Sequence, residues 1–344
     1  MYRMQQQQIR LTDSYGRVAR DLRVSVTDRC NLRCTYCMPE EGMQWIADSR
    51  ILTLSELERL VRIGVEKLGI RSVRFTGGEP LLRPGLADLI GQTAKMTCDN
   101  GEHPDIALTT NGLGLEKHIG KLRDAGLKRI NISVDSLDPE RFAKLTRRDR
   151  LADVLKGIEA AKAAGLRPIK INTVVMPNTN EADILPLLDF CLNQGFQLRF
   201  IEEMPLGPPQ VWNRDIMVKA EDIKATIEEK YQLSLATGQR ASSPAKVWDV
   251  VQDGAIIGQV GIIASVTKPF CGDCDRTRLT ADGQIRNCLF ARREFNLRDL
   301  MRGGASDEEL ALAWAGEMGR KLPGHGIDSP SFLQPQRGMS AIGG

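Results

Sequence analysis

Ser72-Val73-Arg74-Phe75-Thr76-Gly77-Gly78-Glu79-Pro80 alternates polar and apolar side chains and then breaks on paired glycines. Side chains alternate sides along a β-strand. Ser72, Arg74 and Thr76 therefore share one face, and Val73 and Phe75 the other. The same two-faced pattern sets Arg23, Ser25 and Thr27 against Leu22, Val24 and Val26. It sets Asn131, Ser133 and Asp135 against Ile130, Ile132 and Val134, and Lys170 and Asn172 against Ile169 and Ile171. The candidate strands are 22–27, 72–76, 106–110, 130–135, 169–175 and 197–202. Between them run helical patterns. One spans 54–68, where Thr53 and Glu56 form a capping box and Leu57, Leu60, Val61, Gly64, Val65 and Leu68 recur at helical spacing. Another spans 151–164 and stops at Gly165, and a third spans 184–193 with Pro186 in its first turn. Strands alternating with helices read as βα units on a parallel sheet. An antiparallel sheet with one wet face is the alternative, and helices of a dozen residues between the strands disfavour it. Closed (β/α)₈ barrels fill their interior with branched apolar residues. Polar inner faces on strand after strand predict a wider, incompletely closed α/β barrel with a ligand-filled lumen.

The character changes after about residue 215. Segments 247–251 and 256–263 flank Gln252-Asp253-Gly254-Ala255 and read as a hairpin with an Asp-Gly turn. Helical patterns follow around 294–301 and 307–316, then a Gly/Pro/Ser-rich stretch over 323–344. The expected organisation is a disordered tail over 1–10, a barrel over 11–215 and a distinct C-terminal region over 216–344. The chain has 344 residues, 42% of them hydrophobic and 26% charged, with a net charge of +3. Such values describe an ordinary soluble globular protein and suit an anionic small molecule. No clustered basic stripe points to nucleic acid, no apolar run would cross a membrane, and no stretch reads as a signal peptide. Eight cysteines are too few for a disulfide scaffold; in a reducing cytoplasm they suggest metal or redox chemistry.

Three of those cysteines stand in Cys30-Asn31-Leu32-Arg33-Cys34-Thr35-Tyr36-Cys37. Complete protein ligation of an iron–sulfur cubane takes four cysteines, so three leave one iron open to an exchangeable ligand. Zinc sites usually pair CxxC with a further Cys or His, and nothing nearby completes that pattern. Downstream, Cys271 and Cys274 form a CxxC, with Cys288 fourteen residues on. That spacing is open between a zinc ribbon short of one ligand, a redox dithiol and a second cubane with an open iron. Asp275-Arg276-Thr277-Arg278 follows; if extended, it projects Arg276 and Arg278 to one side, a pair suited to a phosphate chain. A solvated basic strand is the plainer alternative. There is no GxxxxGK[ST] loop, so a nucleotide would be held by side chains. Gly77 and Gly78 permit close backbone approach, and Glu79 offers an acceptor for an ammonium group.

The first cysteine run, with Tyr36 beside its last thiol, together with Gly77-Gly78-Glu79-Pro80 resembles the radical S-adenosylmethionine (radical SAM) enzymes. Other stretches narrow the resemblance: Arg20-Asp21-Leu22-Arg23-Val24-Ser25-Val26-Thr27-Asp28-Arg29-Cys30, Leu108-Thr109-Thr110-Asn111-Gly112, the downstream cysteines and Gly343-Gly344. From about residue 11 to 344 the chain is similar to the GTP 3′,8-cyclase family. The resemblance implies an incomplete (β/α)₆ barrel of TIM type whose open side is closed by a C-terminal α+β extension. It implies two [4Fe–4S] clusters, one on Cys30, Cys34 and Cys37 and one on Cys271, Cys274 and Cys288. It makes Tyr36, Gly78, Ser133 and Met204 contacts of S-adenosyl-L-methionine (SAM). It makes Arg23, Arg74, Thr109, Lys170, Arg276, Thr277 and Arg278 contacts of GTP. Gly343 and Gly344 are expected to thread into the barrel and assist turnover.

The implied reaction is the first step of molybdopterin biosynthesis. A 5′-deoxyadenosyl radical takes the 3′ hydrogen of GTP, the carbon radical at C3′ attacks guanine C8, and reduction gives 3′,8-cyclo-7,8-dihydro-GTP. The implied partners are an external one-electron reductant, a downstream cyclic pyranopterin monophosphate synthase that takes the product, and a second copy in a cytoplasmic homodimer. Two departures stand out: Glu203 precedes Met204 where a larger apolar residue is expected, and Asp149 stands where glycine is common. A peptide-modifying radical SAM enzyme with an auxiliary cluster would share the first motif without needing Arg276 and Arg278. A non-catalytic iron–sulfur electron carrier would leave the polar lumen unexplained. Cys98, Cys191, His103, His118 and the four tryptophans (Trp45, Trp212, Trp248 and Trp314) read as packing or surface residues, and His325 is unassigned.

Overall fold

The computed structural model describes residues 9–208, 212–329 and 332–343. Gly344 and residues 1–8 of the expected tail lie outside the described residues. Period-two alternation becomes six strands: β1 Asp21–Ser25, β2 Ser72–Thr76, β3 Asp105–Thr110, β4 Arg129–Ser133, β5 Ile169–Val175 and β6 Gln197–Glu202. They lie side by side in chain order, all parallel. Their outward residues Leu22, Val24, Val73, Phe75, Ile130, Ile132 and Ile171 are buried in one core with Leu57, Leu60, Leu89, Ile158 and Leu187 of the crossover helices. Each such side chain contributes roughly 1.5–3 kcal/mol by leaving water. The capping box forms as expected: Glu56 N donates to Thr53 Oγ1 at 3.2 Å and Thr53 N to Glu56 Oε2 at 2.8 Å. The helix it starts, Leu54–Arg62, continues as a π-helical turn over Ile63–Lys67.

The later chain adds β7 Gln232–Leu235, β8 Lys246–Gln252, β9 Ala255–Ile263, β10 Arg276–Leu279, β11 Gln284–Arg286 and β12 Phe295–Asn296. β8 and β9 form the expected hairpin. Its Asp253 and Gly254 take φ of 51° and 78°, the two positive values that a tight hairpin turn of the I′ kind needs. Less expected is where these strands go: β9 pairs parallel with β6, and β10 parallel with β1. The sheet runs β12-β11-β10-β1-β2-β3-β4-β5-β6-β9-β8-β7. Its end strands β12 and β7 do not pair with each other, so the barrel stays open. The C-terminal region thus extends the same sheet and shares its core, with Trp314 wholly buried. The helix expected from about 294 begins at Leu297. Asn296 caps it by accepting from Asp299 N, and Phe295 and Asn296 pair with β11 instead. A smaller apolar cluster of Leu206, Met217, Val266, Phe290, Ile327 and Ile342 packs beside the barrel interior. Among the described residues, no helix is long and apolar enough to cross a membrane.

Candidate functional site

The polar strand faces line a cavity of about 320 Å³, to which Arg23, Arg74, Thr76, Thr109, Asn131, Ser133, Asn172 and Arg199 contribute. Strand register sets Arg278, Arg23 and Arg74 side by side across β10, β1 and β2. The loop leaving β1 brings Cys30, Cys34 and Cys37 to the cavity wall. Backbone bonds from Arg33 N to Thr146 O at 3.0 Å and from Thr35 N to Leu145 O at 2.9 Å hold that loop against the barrel. Cys271 and Cys274, just before β10, and Cys288, just after β11, line the same cavity. Both cysteine triplets therefore open into one space.

Burial pushes Cys34 well above the ordinary thiol value and Cys37 up to about 12, and the neighbouring thiols and Asp135 add to this. Cys30 and Cys271 are also raised, chiefly by burial. Burial acts the same way on Cys274, but Lys321 and Arg276 outweigh it and bring that thiol down. Among the described residues, no three Cys, His, Asp or Glu side chains converge as ligands of a single ion. A cubane asks for something else, because each thiolate binds a different iron. Three free, partly buried soft donors on one loop, and three more brought together from either end of the β10–β11 hairpin, fit that demand. His325 lies nearby, but Nε2 donates to Ser265 O at 3.1 Å and Nδ1 accepts from Ile327 N at 3.2 Å. Both ring nitrogens are engaged, so it does not complete a zinc site.

The remaining expected residues divide. Tyr36, Gly78, Ser133 and Met204 line the cavity. Tyr36 donates its hydroxyl to Asp135 Oδ2 at 2.7 Å, and burial raises Asp135 to about 6 despite that bond. A side chain at Gly78 would put Cβ 2.4 Å from Arg29 O and 2.5 Å from Asp28 O; glycine lets the two loops touch. Glu79 behaves differently from the expectation of a ligand acceptor. It is fully buried, and its carboxylate accepts from Leu81 N, Thr110 Oγ1 and Asn111 N at 3.0, 2.7 and 2.7 Å. It braces the loops instead of meeting a ligand. Thr277 points to the helix side, where Trp314 Nε1 donates to its hydroxyl at 3.0 Å. Arg276 and Arg278, one residue to either side, face the cavity. Lys170 shares the β5 face of Asn172 and Val174, one step farther down the strand.

The wall is strongly cationic. Arg278 is held down to about 9 and Arg199 to about 10, by burial first and by Arg23 in addition. Burial would raise Asp21, a carboxylate beside them, yet Arg23, Arg74 and Arg276 pull it down to about 2. Arg74 Nε, Arg276 Nε and Asn172 Oδ1 are buried without a hydrogen-bond partner. The two arginine donors left unmatched are costly, and a polyanion would satisfy them. The segment Met339–Ile342 packs into this space, and Arg278 Nη1 donates to Gly343 O at 2.7 Å. Sequence reasoning passed over Arg199 and did not single out Asp135. Gln197, Arg199 and Ile201 share one face by the same alternation that revealed Arg74, so the signal for Arg199 was present.

An open parallel barrel with three thiols on the loop after its first strand is the architecture of the radical SAM class. The family model described as Radical SAM superfamily matches residues 24–191, and that described as Molybdenum Cofactor Synthesis C matches residues 196–327. A protein of Corynebacterium glutamicum named GTP 3′,8-cyclase is 62% identical over 97% of this chain and 89% of its own length. One of Mycobacterium tuberculosis named GTP 3′,8-cyclase 2 is 52% identical over 97% and 92%. This chain belongs to the GTP 3′,8-cyclase family. In fold it resembles the crystal structure of Streptococcus suis SuiB bound to S-adenosylmethionine. The TM-score is 0.56 at 15% identity, over 94% of this chain and 75% of that one.

Proposed function

We propose that the protein is a radical SAM GTP 3′,8-cyclase of molybdenum-cofactor biosynthesis, working with SAM, two [4Fe–4S] clusters and an external one-electron reductant. The observation that carries this reading is the opening of both cysteine triplets into one arginine-walled cavity. Cys30, Cys34 and Cys37 would hold the SAM-binding cluster, and Cys271, Cys274 and Cys288 the second one. When bound, SAM on the first cluster would supply one-electron reductive cleavage and through it the abstraction of the 3′ hydrogen of GTP; closing C3′ onto guanine C8 would then take one further electron, from the reductant, and a proton to reach the 7,8-dihydro product. The protein's share is placement and exclusion of water. Gly78, Tyr36, Ser133 and Met204, which line the cavity, would receive SAM. Arg23, Arg74, Arg276 and Arg278, joined by Arg199 and Lys170, are suited to a triphosphate, and planar guanidiniums match phosphate oxygens in pairs. Thr109 lines the space between, and Thr277 could meet a ligand only through its backbone. Gly343, with Gly344 beyond the described residues, would narrow the lumen.

The reading includes a cytoplasmic homodimer that passes its product to a cyclic pyranopterin monophosphate synthase. It treats 11–215 as the barrel region and 216–344 as the region of the second cluster. Oxygen-free reconstitution with iron and sulfide, then incubation with SAM, dithionite and GTP, tests it. GTP should stimulate 5′-deoxyadenosine formation and yield 3′,8-cyclo-7,8-dihydro-GTP. Deoxyadenosine formation indifferent to GTP would defeat the assignment.

A further inference from the structure

Lys321 follows the helix Asp307–Met318 and is only 4% exposed. Its ammonium has three neighbours: Cys274 O at 2.8 Å, Arg276 O at 3.1 Å and Cys274 Sγ at 3.3 Å. Lysines are almost never buried unless paired. Among the described residues, no carboxylate lies within ion-pair distance of Lys321; nearby Glu317 is taken by Arg320 and Asn287. Of the three atoms that the Lys321 ammonium bonds among the described residues, the Cys274 sulfur is the one that can carry negative charge.

The lysine is also held in place. Arg17 Nη1 donates to Cys271 O at 2.6 Å and to Pro323 O at 2.9 Å, and Arg17 Nη2 donates to Leu322 O at 2.6 Å. One guanidinium thus ties the downstream thiol loop to the segment that carries Lys321. At the upstream triplet Arg33 Nη1 donates to the Cys30 carbonyl at 2.6 Å and not to a sulfur. The side chains that reach the sulfurs there are neutral: the Asn111 amide lies 3.9 Å from Cys30 Sγ and the Tyr36 hydroxyl acts on Cys34.

We propose that Lys321 is a positioning residue that raises the electron affinity of the downstream centre through a charge-assisted bond to Cys274. The inference rests on reading Cys271, Cys274 and Cys288 as a cluster site. Hydrogen bonds to cluster sulfurs and nearby charge are established levers on reduction potential. An added electron makes the sulfurs more negative, so a fixed ammonium favours the reduced state. Removing it must lower the potential.

The test is an EPR-monitored redox titration of the full chain carrying Cys30→Ala, Cys34→Ala and Cys37→Ala, so that the signal comes from the downstream site alone. In that background Lys321→Met should cut the reduced-to-oxidised ratio at fixed ambient potential at least tenfold, which is about 59 mV for one electron. Lys321→Arg, which keeps the charge, should move it less. If Lys321→Met loses iron, Lys321→Gln is titrated instead, and it must still lower the potential because the charge is gone. An unchanged potential in an iron-replete uncharged variant overturns the role of Lys321 alone. Absence of any cluster in the Lys321-containing background overturns the cluster reading, and this inference with it.

Discussion

Lys170 loses its proton more easily than an exposed lysine. Burial first, and then Arg199, Arg129 and Arg74, push it down to about 7. Its folded value lies below the unfolded one near 10.5, so the buried charge weighs fully on the fold below about pH 7. That burden lifts as pH rises from about 7 towards 10.5. A bound triphosphate would restore the charge, so GTP binding above pH 7 must draw in a proton. Affinity should fall by up to about tenfold per pH unit as pH rises above 7. Calorimetry at pH 8 in two buffers of different ionisation heat should report proton uptake for the unaltered protein and much less for Lys170→Met. Equal uptake in both would remove Lys170 from the phosphate site. Arg276 is fixed twice, over the Phe270 ring at 4.7 Å and by donation from Nη2 to Ser242 O at 3.2 Å. Arg276→Ala should slow cyclisation about 100-fold through lost placement while SAM cleavage continues; normal product formation at saturating GTP would count against it. At this scale the sequence marked residue types better than directions. Alternation located Arg74 and Arg276, but the same rule turns Thr277 toward Trp314. No period reveals that the Glu79 carboxylate is consumed by two backbone N–H groups and a hydroxyl from two places in the chain.

The element that differs most from its sequence signal is the stretch Met339–Gly343. Glycine and small residues near a chain end usually signal disorder, yet Ser340, Ala341 and Ile342 are buried here. Ile342 joins Leu206 and Phe290 in the smaller apolar cluster, and Gly343 has φ of +82°. A Cβ at Gly343 would come within 2.9 Å of Thr76 Cγ2 and 3.1 Å of Ser25 Cβ. Gly343→Val therefore meets both backbone strain and two strands of the barrel wall. Product formation should drop at least tenfold, with the melting temperature changed by no more than about 2 °C because the main core is untouched. Removing Gly343 and Gly344 should act in the same direction, and full activity in both variants would show that the insertion has no part in turnover. The regular elements were far more legible. β2, β5 and β6 match their expected limits, because each is bounded by turn residues and keeps period two throughout. The edges of the sheet were not. Ile256–Ile263 reads as half of a hairpin, and only contact with Leu198, Arg199, Phe200 and Ile201 decides that it also extends the parallel sheet. Such long-range pairing leaves no local trace.

For the molecule as a whole, the open barrel and the late strands form one device. β1 passes Cys30, Cys34 and Cys37 to one side of the cavity. β10, parallel to β1, delivers Cys271 and Cys274 to another, and β11 returns with Cys288. Neither triplet has a fourth cysteine among its cavity neighbours, since Cys98 and Cys191 belong to the apolar core. On the proposed reading each site would be loaded independently, while turnover would need both. Reciprocal triple substitutions test this. Cys30, Cys34 and Cys37 changed together to Ala should leave about four irons per chain on the downstream thiols, with GTP still bound and SAM cleavage lost. Cys271, Cys274 and Cys288 changed together to Ala should also leave about four irons, but on the upstream loop. That second variant should cleave SAM slowly, and GTP should stimulate it weakly because one wall of the purine site is missing. The unaltered chain should hold about eight irons when prepared without oxygen. Stoichiometric zinc at the downstream thiols, or an unaltered chain that stays at about four irons and still cyclises GTP, would mean that the second triplet serves structure and that the first cluster works alone.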